Sequence, residues 1–458
     1  MTDFGSKSLA ELHKLASEAK IEGFRLLRRD DLVKKLESEG GGSGGGDVTG
    51  EQGEEGSGAP RSRRRRSRGG RDRPRRDSQG DGREKGEGRE KGEGRQGRGR
   101  DPEGGGEQEG GDLSQATGVL EVQPRGSGLV RGEGLPDAGV HVSPAQIRRC
   151  ELRSGDEISG PVRPARRGER RPSMVRIETV NGEPPSDERT PAFEGLTAIA
   201  PHRHIPLQAE GDNLLARAVD LIAPLAFGQR VLVEAQPRSG RTSVLRALAK
   251  AIAAGSEEGL EVVVLLVDER PEEVTAWTRE VTGVSIEAAP ADLGAGEQVR
   301  VAERTLARVR RQAETGQDVV LLVDSLTRLG TAFGDAGAIK PFFGTGRELE
   351  EEGAGSVTVI ATVLWGSPGD EAVIDAVRTS ENATVRLDAG LAEAGVSPAI
   401  DVRSCAVSGQ DSVLSAPEVD AMRRLRAELI EMDPKAASAR IAELINGSKS
   451  NLELLEKL

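Results

Sequence analysis

Between the apolar run RVLVEA and the amphipathic stretch SVLRALAKAI lie Gln236, Pro237, Arg238, Ser239, Gly240, Arg241 and Thr242, in the order strand, loop, helix. That context suits a phosphate-binding loop, in which successive backbone N–H groups surround a phosphate at a helix N-terminus. The loop approximates GxxxxGK[ST]. Its candidate phosphate ligands are Pro237, Arg238, Ser239, Gly240, Arg241, Thr242 and Ser243, and the Thr242 hydroxyl suits Mg2+. Arg241 stands where the motif has lysine. Arginine keeps the charge but brings a planar fork in place of a point charge. Two further apolar runs end in acids: VVVLLVDER in Asp268, Glu269 and Arg270, and VVLLVDS in Asp324 and Ser325. Carboxylates at the carboxyl ends of parallel strands lie in the crevice where such sheets bind ligands. The other reading is that they cap the helices that follow.

These residues need a scaffold, and the chain supplies one. From about residue 190 to 458, helical segments alternate with fully apolar strands (RVLVEA, EVVVLLVDE, DVVLLVDS, SVTVIATVL), which predicts a parallel, doubly wound α/β sheet. Residues 113–182 read differently: TGVLEVQ, GSGLVRGE, VHVSP, DEISGPVRP and MVRIETV are short alternating runs punctuated by Gly, Pro and Asp, the pattern of a small antiparallel barrel. Residues 1–38 carry Leu and Ala at helical spacing and predict a small helical domain. Residues 39–112 are Gly, Ser, Arg and Glu with almost no apolar side chain, and REKGEG occurs twice, at 83–88 and 89–94. Such a segment buries too little surface to order itself and reads as a disordered basic arm or a solvated linker.

The formal charge of −12 hides an asymmetry, because residues 61–100 alone carry roughly +10. The arm attracts polyanions; the rest does not. No run of about 18 apolar residues and no signal-peptide order occurs, so no membrane partner is expected and the reading is cytoplasmic. Cys150 and Cys405 are far apart and outside any CxxC, which suits inert thiols in a reducing compartment. His202 and His204 form an HxH in a Pro-flanked loop, a metal pair if a third ligand were near, but without one they read as a solvated loop.

The segments LVDERPEEV, LLVDSLTRL, QRVLVEAQPRSGRT and SPAID (397–401) resemble the signature segments of the transcription termination factor Rho family. GVLEVQ, VSPAQIRR and LRSGDEISGPVRP resemble that family's cold-shock-like (OB) RNA-binding barrel, IEGFRLLRRDDLVKKL its N-terminal helical domain, and INGSKSNLELLEKL its ending. The resemblance implies a RecA-like P-loop ATPase domain in a homo-hexameric ring, with ATP and Mg2+ between subunits and single-stranded RNA through the centre. RNA polymerase, or an intact Rho in a mixed ring, would be a further partner. It also implies that Thr242 holds Mg2+, that Asp324 supports the ion through water, that Glu269 polarises the attacking water, and that Arg270 places a charge in the cleft.

Other positions depart from the family pattern. The aromatic turn of the barrel reads Arg125-Gly126-Ser127-Gly128-Leu129, and Arg171 occupies a tyrosine position. Arg131, Arg148, Arg149 and Arg171 remain as RNA-binding candidates, through phosphate more than through base stacking. The loop between Arg328 and Phe342 is short, and Pro368 stands where a pore lysine is expected. Ser397 replaces an adenine-stacking aromatic, and the arginine finger has no clear counterpart, Arg403 reading as an exposed loop arginine. Two functional classes follow: a working RNA-stimulated ATPase that ends transcription, or a catalytically impaired paralogue acting in RNA binding or assembly.

Overall fold

The computed structural model describes residue 34 and residues 113–186, 191–205, 207, 213–255, 259–366 and 370–458. Apart from Lys34, the expected helical domain and basic arm lie outside the described residues, as does Pro368.

The first body is built from short strands whose alternate residues point inward. These are β1 (Ser114–Val122), β2 (Gly128–Arg131), β3 (Val140–Val142), β4 (Glu157–Arg163), β5 (Ser173–Met174) and β6 (Thr179–Val180), with helix α1 (Pro144–Arg149) between β3 and β4. Strands β1, β2, β3, β5 and β4 close into a ring through a β1–β4 pairing, and β6 adds to β4. The expected barrel is therefore present. Leu120, Val130, Val140, Val142, Ile158 and Val162 fill it. Ser143 caps α1 in a capping box with Gln146, which fixes where that helix begins.

The second body is the expected doubly wound sheet. Its elements begin with β7 (Ala198–Ile199), α2 (Leu214–Ile222), β8 (Arg230–Ala235), α3 (Arg241–Ala254), β9 (Leu260–Val267), α4 (Pro271–Glu280) and β10 (Ser285–Ala289). They continue with α5 (Ala295–Glu314), β11 (Asp318–Asp324), α6 (Leu326–Phe333), β12 (Arg347–Leu349), β13 (Ser356–Leu364), α7 (Asp370–Val377) and β14 (Ala383–Arg386). Last come β15 (Ala406–Val407), α8 (Ala416–Glu431), α9 (Pro434–Asn446) and α10 (Asn451–Lys457). Strands β10, β9, β11, β13, β8 and β14 run parallel in that order. Period 2 divides each strand between two cores: Val262, Val264 and Leu266 of β9 pack beneath α2, α3 and α8 to α10, while Val263, Leu265 and Val267 pack against α5, α6 and α7. Both faces are dry, which is why these strands read as unbroken apolar runs.

The two bodies meet along α5. Asp156 of the barrel, 1% exposed, receives Arg311 at 2.5 Å, and Arg311 also reaches Glu314 at 2.6 Å. The close approach needs glycine: at Gly155, whose φ is +96°, an added Cβ would lie 2.3 Å from the Ala307 carbonyl oxygen.

The HxH segment is not a solvated loop. His202 meets Glu348 at 3.0 Å and His204 meets Asp220 at 2.8 Å. Ile205, 2% exposed, carries the segment inward, and two buried carboxylates receive its rings. Asp220 also accepts from Asn451 at 2.8 Å, and Asn451 accepts from Arg217 at 3.0 Å, so this network ties α10 to α2. Burial opposes the charged imidazole of His204, but Asp220, with Glu418 behind it, outweighs burial and raises its pKa above the ordinary 6.5. A pKa raised in the folded state stabilises fully below the unfolded value and is lost as pH climbs through the folded value. Stability in urea should thus fall as pH rises above about 6.5, and His204→Gln should flatten that dependence.

Candidate functional site: a nucleotide cleft and a cationic groove

The loop after β8 turns through Arg238 at φ +66° and Gly240 at φ +87° before α3 begins at Arg241. Ser239, 1% exposed, holds the turn by donating from both its backbone N–H and its Oγ to the Gln236 carbonyl, at 3.2 and 2.8 Å. No side chain caps α3, so the N–H groups of its first turn face outward unclaimed by a cap. The first turn of α3 thus carries N–H groups that no side chain caps. Thr242 is half-buried on that first turn, and Pro237, Arg238 and Ser243 are exposed around it.

The two strand-end carboxylates converge on this loop. Arg241 bridges them, its Nη2 lying 2.7 Å from Glu269 Oε1 and its Nε 3.0 Å from Asp324 Oδ1. Thr362 Oγ1 donates to the same Asp324 oxygen at 3.1 Å, and Arg328 of α6 closes on Glu269. Glu269 is 5% exposed and Asp324 fully buried, and burial raises both carboxyl pKa values against the pull of the two arginines. Neither acid caps a helix. Ser325 caps α6 by accepting from the Arg328 N–H at 3.3 Å, and Arg270 occupies the N-cap of α4 without a side-chain bond. Asp268, at φ +56°, is the sharp turn that swings Glu269 inward while Arg270 stays exposed.

Arg328 and Thr362 were absent from the sequence-derived site. Arg328 did carry a signal, since a cation in the first turn of a helix works against the dipole and needs an acidic partner. Thr362 carried none. It sits in an apolar strand, and only the β11–β13 pairing brings it to Asp324.

Ser397 is exposed beside a cis Ser397–Pro398 bond. Arg403, although exposed, is no free loop arginine: it donates to the Ile430 carbonyl at 2.9 and 2.7 Å and to that of Met432 at 3.1 Å, closing the C-terminus of α8. The short segment after Arg328 packs inward through Leu329, Ile339 and Phe342. Cys405 is buried, which pushes its thiol up to about 11, as suits an inert residue. Among the described residues no cluster of His, Cys, Asp and Glu is arranged as a metal site.

On the barrel, Arg131 and Arg171 come together in a groove of about 450 Å³ that also receives Arg125, His141 and Glu121. Arg148 and Arg149 do not line it. Both are exposed near the end of α1, whose register was invisible before the barrel closed. Arg131 spends part of its fork on Glu121 at 3.5 Å and on the Asp137 carbonyl at 2.8 Å.

The Arg241 bridge has a measurable consequence. Arg241→Met leaves a buried Asp324 without its nearest cation, so nucleotide-free protein should lose about 3 kcal/mol in urea unfolding at neutral pH. Adding Asp324→Asn should return more than half of that loss, and a double-mutant cycle measures the coupling.

Residues 116–186 match the model of the Rho termination factor RNA-binding domain, and residues 216–340 match that of the ATP synthase alpha/beta family nucleotide-binding domain. Over 378 residues the chain is 34% identical to transcription termination factor Rho of Chromobacterium violaceum, covering 76% of this chain and 89% of that protein. Its likeness to the Rho of Haemophilus influenzae is 37% over 369 residues, covering 74% and 86%, and to that of Bacillus subtilis 34% over 375 residues, covering 77% and 86%. With the RNA-binding barrel and the nucleotide cleft in one chain, and matches of this extent, the protein belongs to the transcription termination factor Rho family.

Proposed function

We propose that the chain is a Rho-type termination factor, a ring protein that binds single-stranded RNA and uses ATP hydrolysis to move along nascent transcripts and release them. One observation carries the reading: Glu269, Asp324, Arg241 and Thr242 converge where β8, β9 and β11 end, in a chain that also presents a cationic groove on its barrel. Residues 113–182 would serve as the RNA-binding domain and 190–458 as the ATPase, with 1–38 and 39–112 as helical domain and basic arm. A homo-hexamer is the assembly this family membership favours, with RNA polymerase as a further partner.

In the cleft, the N–H groups from Gly240 to Ser243 cradle phosphate at the start of α3, with Arg238 and Arg241 as the cations nearby. The residues present fit Mg2+, because Asp324 Oδ2 is buried with no hydrogen-bond partner among the described residues and the Thr242 hydroxyl stands on the first turn of α3. Thr242 would hold the ion directly and Asp324 through water; the ion supplies charge neutralisation at the phosphate oxygens. Glu269 orients the attacking water. Its carboxylate is free to do so only after Arg241 turns from the acids to the phosphates, which makes that swing the first event on nucleotide binding. In a ring, a cation from the neighbouring subunit would complete the charge stabilisation. Arg403, bonded to the carbonyls of α8, is a poor candidate for that cation.

ATP hydrolysis measured with and without poly-C RNA tests the proposal. A rate that rises with RNA, and that Glu269→Gln lowers at least about 100-fold while nucleotide still binds, is the expected outcome. RNA binding without any hydrolysis would instead assign the chain to the impaired, assembly-type class. Arg241→Lys should tighten nucleotide binding about tenfold in calorimetry, because an ammonium cannot span both acids and leaves them more readily. Arg403→Ala should leave turnover within about threefold, far from the 10³ or more lost with a finger.

A further inference from the structure

The barrel groove is not made by the barrel alone. Arg125, Arg131, His141 and Arg171 line it from the barrel, and Arg300 enters from α5 of the nucleotide-binding body. Four guanidinium groups face one carboxylate, Glu121, and no Phe or Trp is among the lining residues. We propose that Arg300 is a phosphate ligand for single-stranded RNA held in this groove, so that the bound strand spans the barrel and the ATPase domain. The proposal rests on the RNA-binding reading above and adds to it a residue from outside the barrel.

The chemistry favours a phosphodiester at this place. With no large aromatic ring to stack on, recognition falls to cations, and a guanidinium fork matches two phosphate oxygens. Arg300 is free to take that role. Its side chain is 51% exposed, and its bonds are local ones to Glu297, three residues back on the helix, and to the Gly296 carbonyl at 3.4 Å. A solvated i,i+3 pair is weak and screened, so a phosphate displaces it readily. The geometry of the joint is also fixed. Eleven residues further along α5, about 16 Å up the helix, Arg311 is locked to Asp156 of the barrel, which holds Arg300 in place beside the groove. Two residues before Arg300, Gln298 donates to Asp268 at 3.3 Å, the turn that presents Glu269 to the cleft. RNA held by Arg300 therefore touches the helix that also supports the nucleotide site.

The test uses the full-length chain and a fluorescent single-stranded RNA, with anisotropy titrations at several salt concentrations. Arg300→Ala should weaken binding about three- to tenfold near 0.1 M salt and reduce the log–log salt slope by about 0.7, the share of one single-strand phosphate contact. Arg300→Lys should restore the slope. Arg423→Ala, an exposed arginine on α8 away from the groove, should change neither. Loss of affinity in Arg171→Ala with no change in Arg300→Ala would overturn this proposal and leave the barrel reading intact. No change in Arg171→Ala, Arg131→Ala or Arg300→Ala would overturn both.

Discussion

Two carboxylates buried at the ends of parallel strands must be neutralised, and the rest of the site is arranged around that requirement. Glu269 and Asp324 cannot retreat to water, because apolar strand residues hold β9 and β11 between two dry helical layers. Leaving one of them charged and unpaired would cost about 3–5 kcal/mol. Arg241 and Arg328 meet the need from opposite sides, one from the helix after the phosphate loop and one from the helix after β11. The phosphate loop, its cation and the acids are therefore one electrostatic unit. Under the proposed function, an incoming triphosphate competes with the acids for Arg241, while Arg328 stays beside Glu269.

Substituting arginine for lysine changes the character of this unit more than its charge. An ammonium can pair with one acid at a time or move between them, whereas the guanidinium fork spans both, 2.7 Å from one and 3.0 Å from the other. Arg241 thus lies across both acids. A similar economy governs the barrel, where arginine and histidine occupy a groove without phenylalanine, tyrosine or tryptophan. In both places planar guanidinium forks stand where the family pattern predicts a point charge or an aromatic ring, and such forks suit phosphate and carboxylate alike.

The junction between barrel and sheet brings these sites onto one helix. Helix α5 carries Gln298 beneath the Asp268 turn, Arg300 at the groove and Arg311 in the buried pair with Asp156. Gly155 allows the barrel to lie against that helix at backbone distance. One helix thus borders the candidate nucleotide cleft, the cationic groove and the domain interface.

Much of this was legible in the sequence. Apolar strands with polar turns at their ends dictate a parallel sheet whichever partners they find, because burial on both faces needs only composition and period. Gly240 before an amphipathic helix, and acids at strand ends, follow from local chemistry in the same way, so the loop and Glu269 and Asp324 were identifiable. What the sequence could not decide depended on neighbours distant along the chain. His202 and His204 looked solvated until Glu348 and Asp220 were folded against them. Arg403 looked idle until α8 brought its carbonyls within reach. Arg148 and Arg149 looked equivalent to Arg131 and Arg171 until the barrel closed and left the first two outside the groove, while Arg300 joined from another domain. Secondary structure is fixed by interactions within a few residues, but the partner of a long charged side chain is set by whichever element the fold lays beside it, and only the tertiary structure chooses that element.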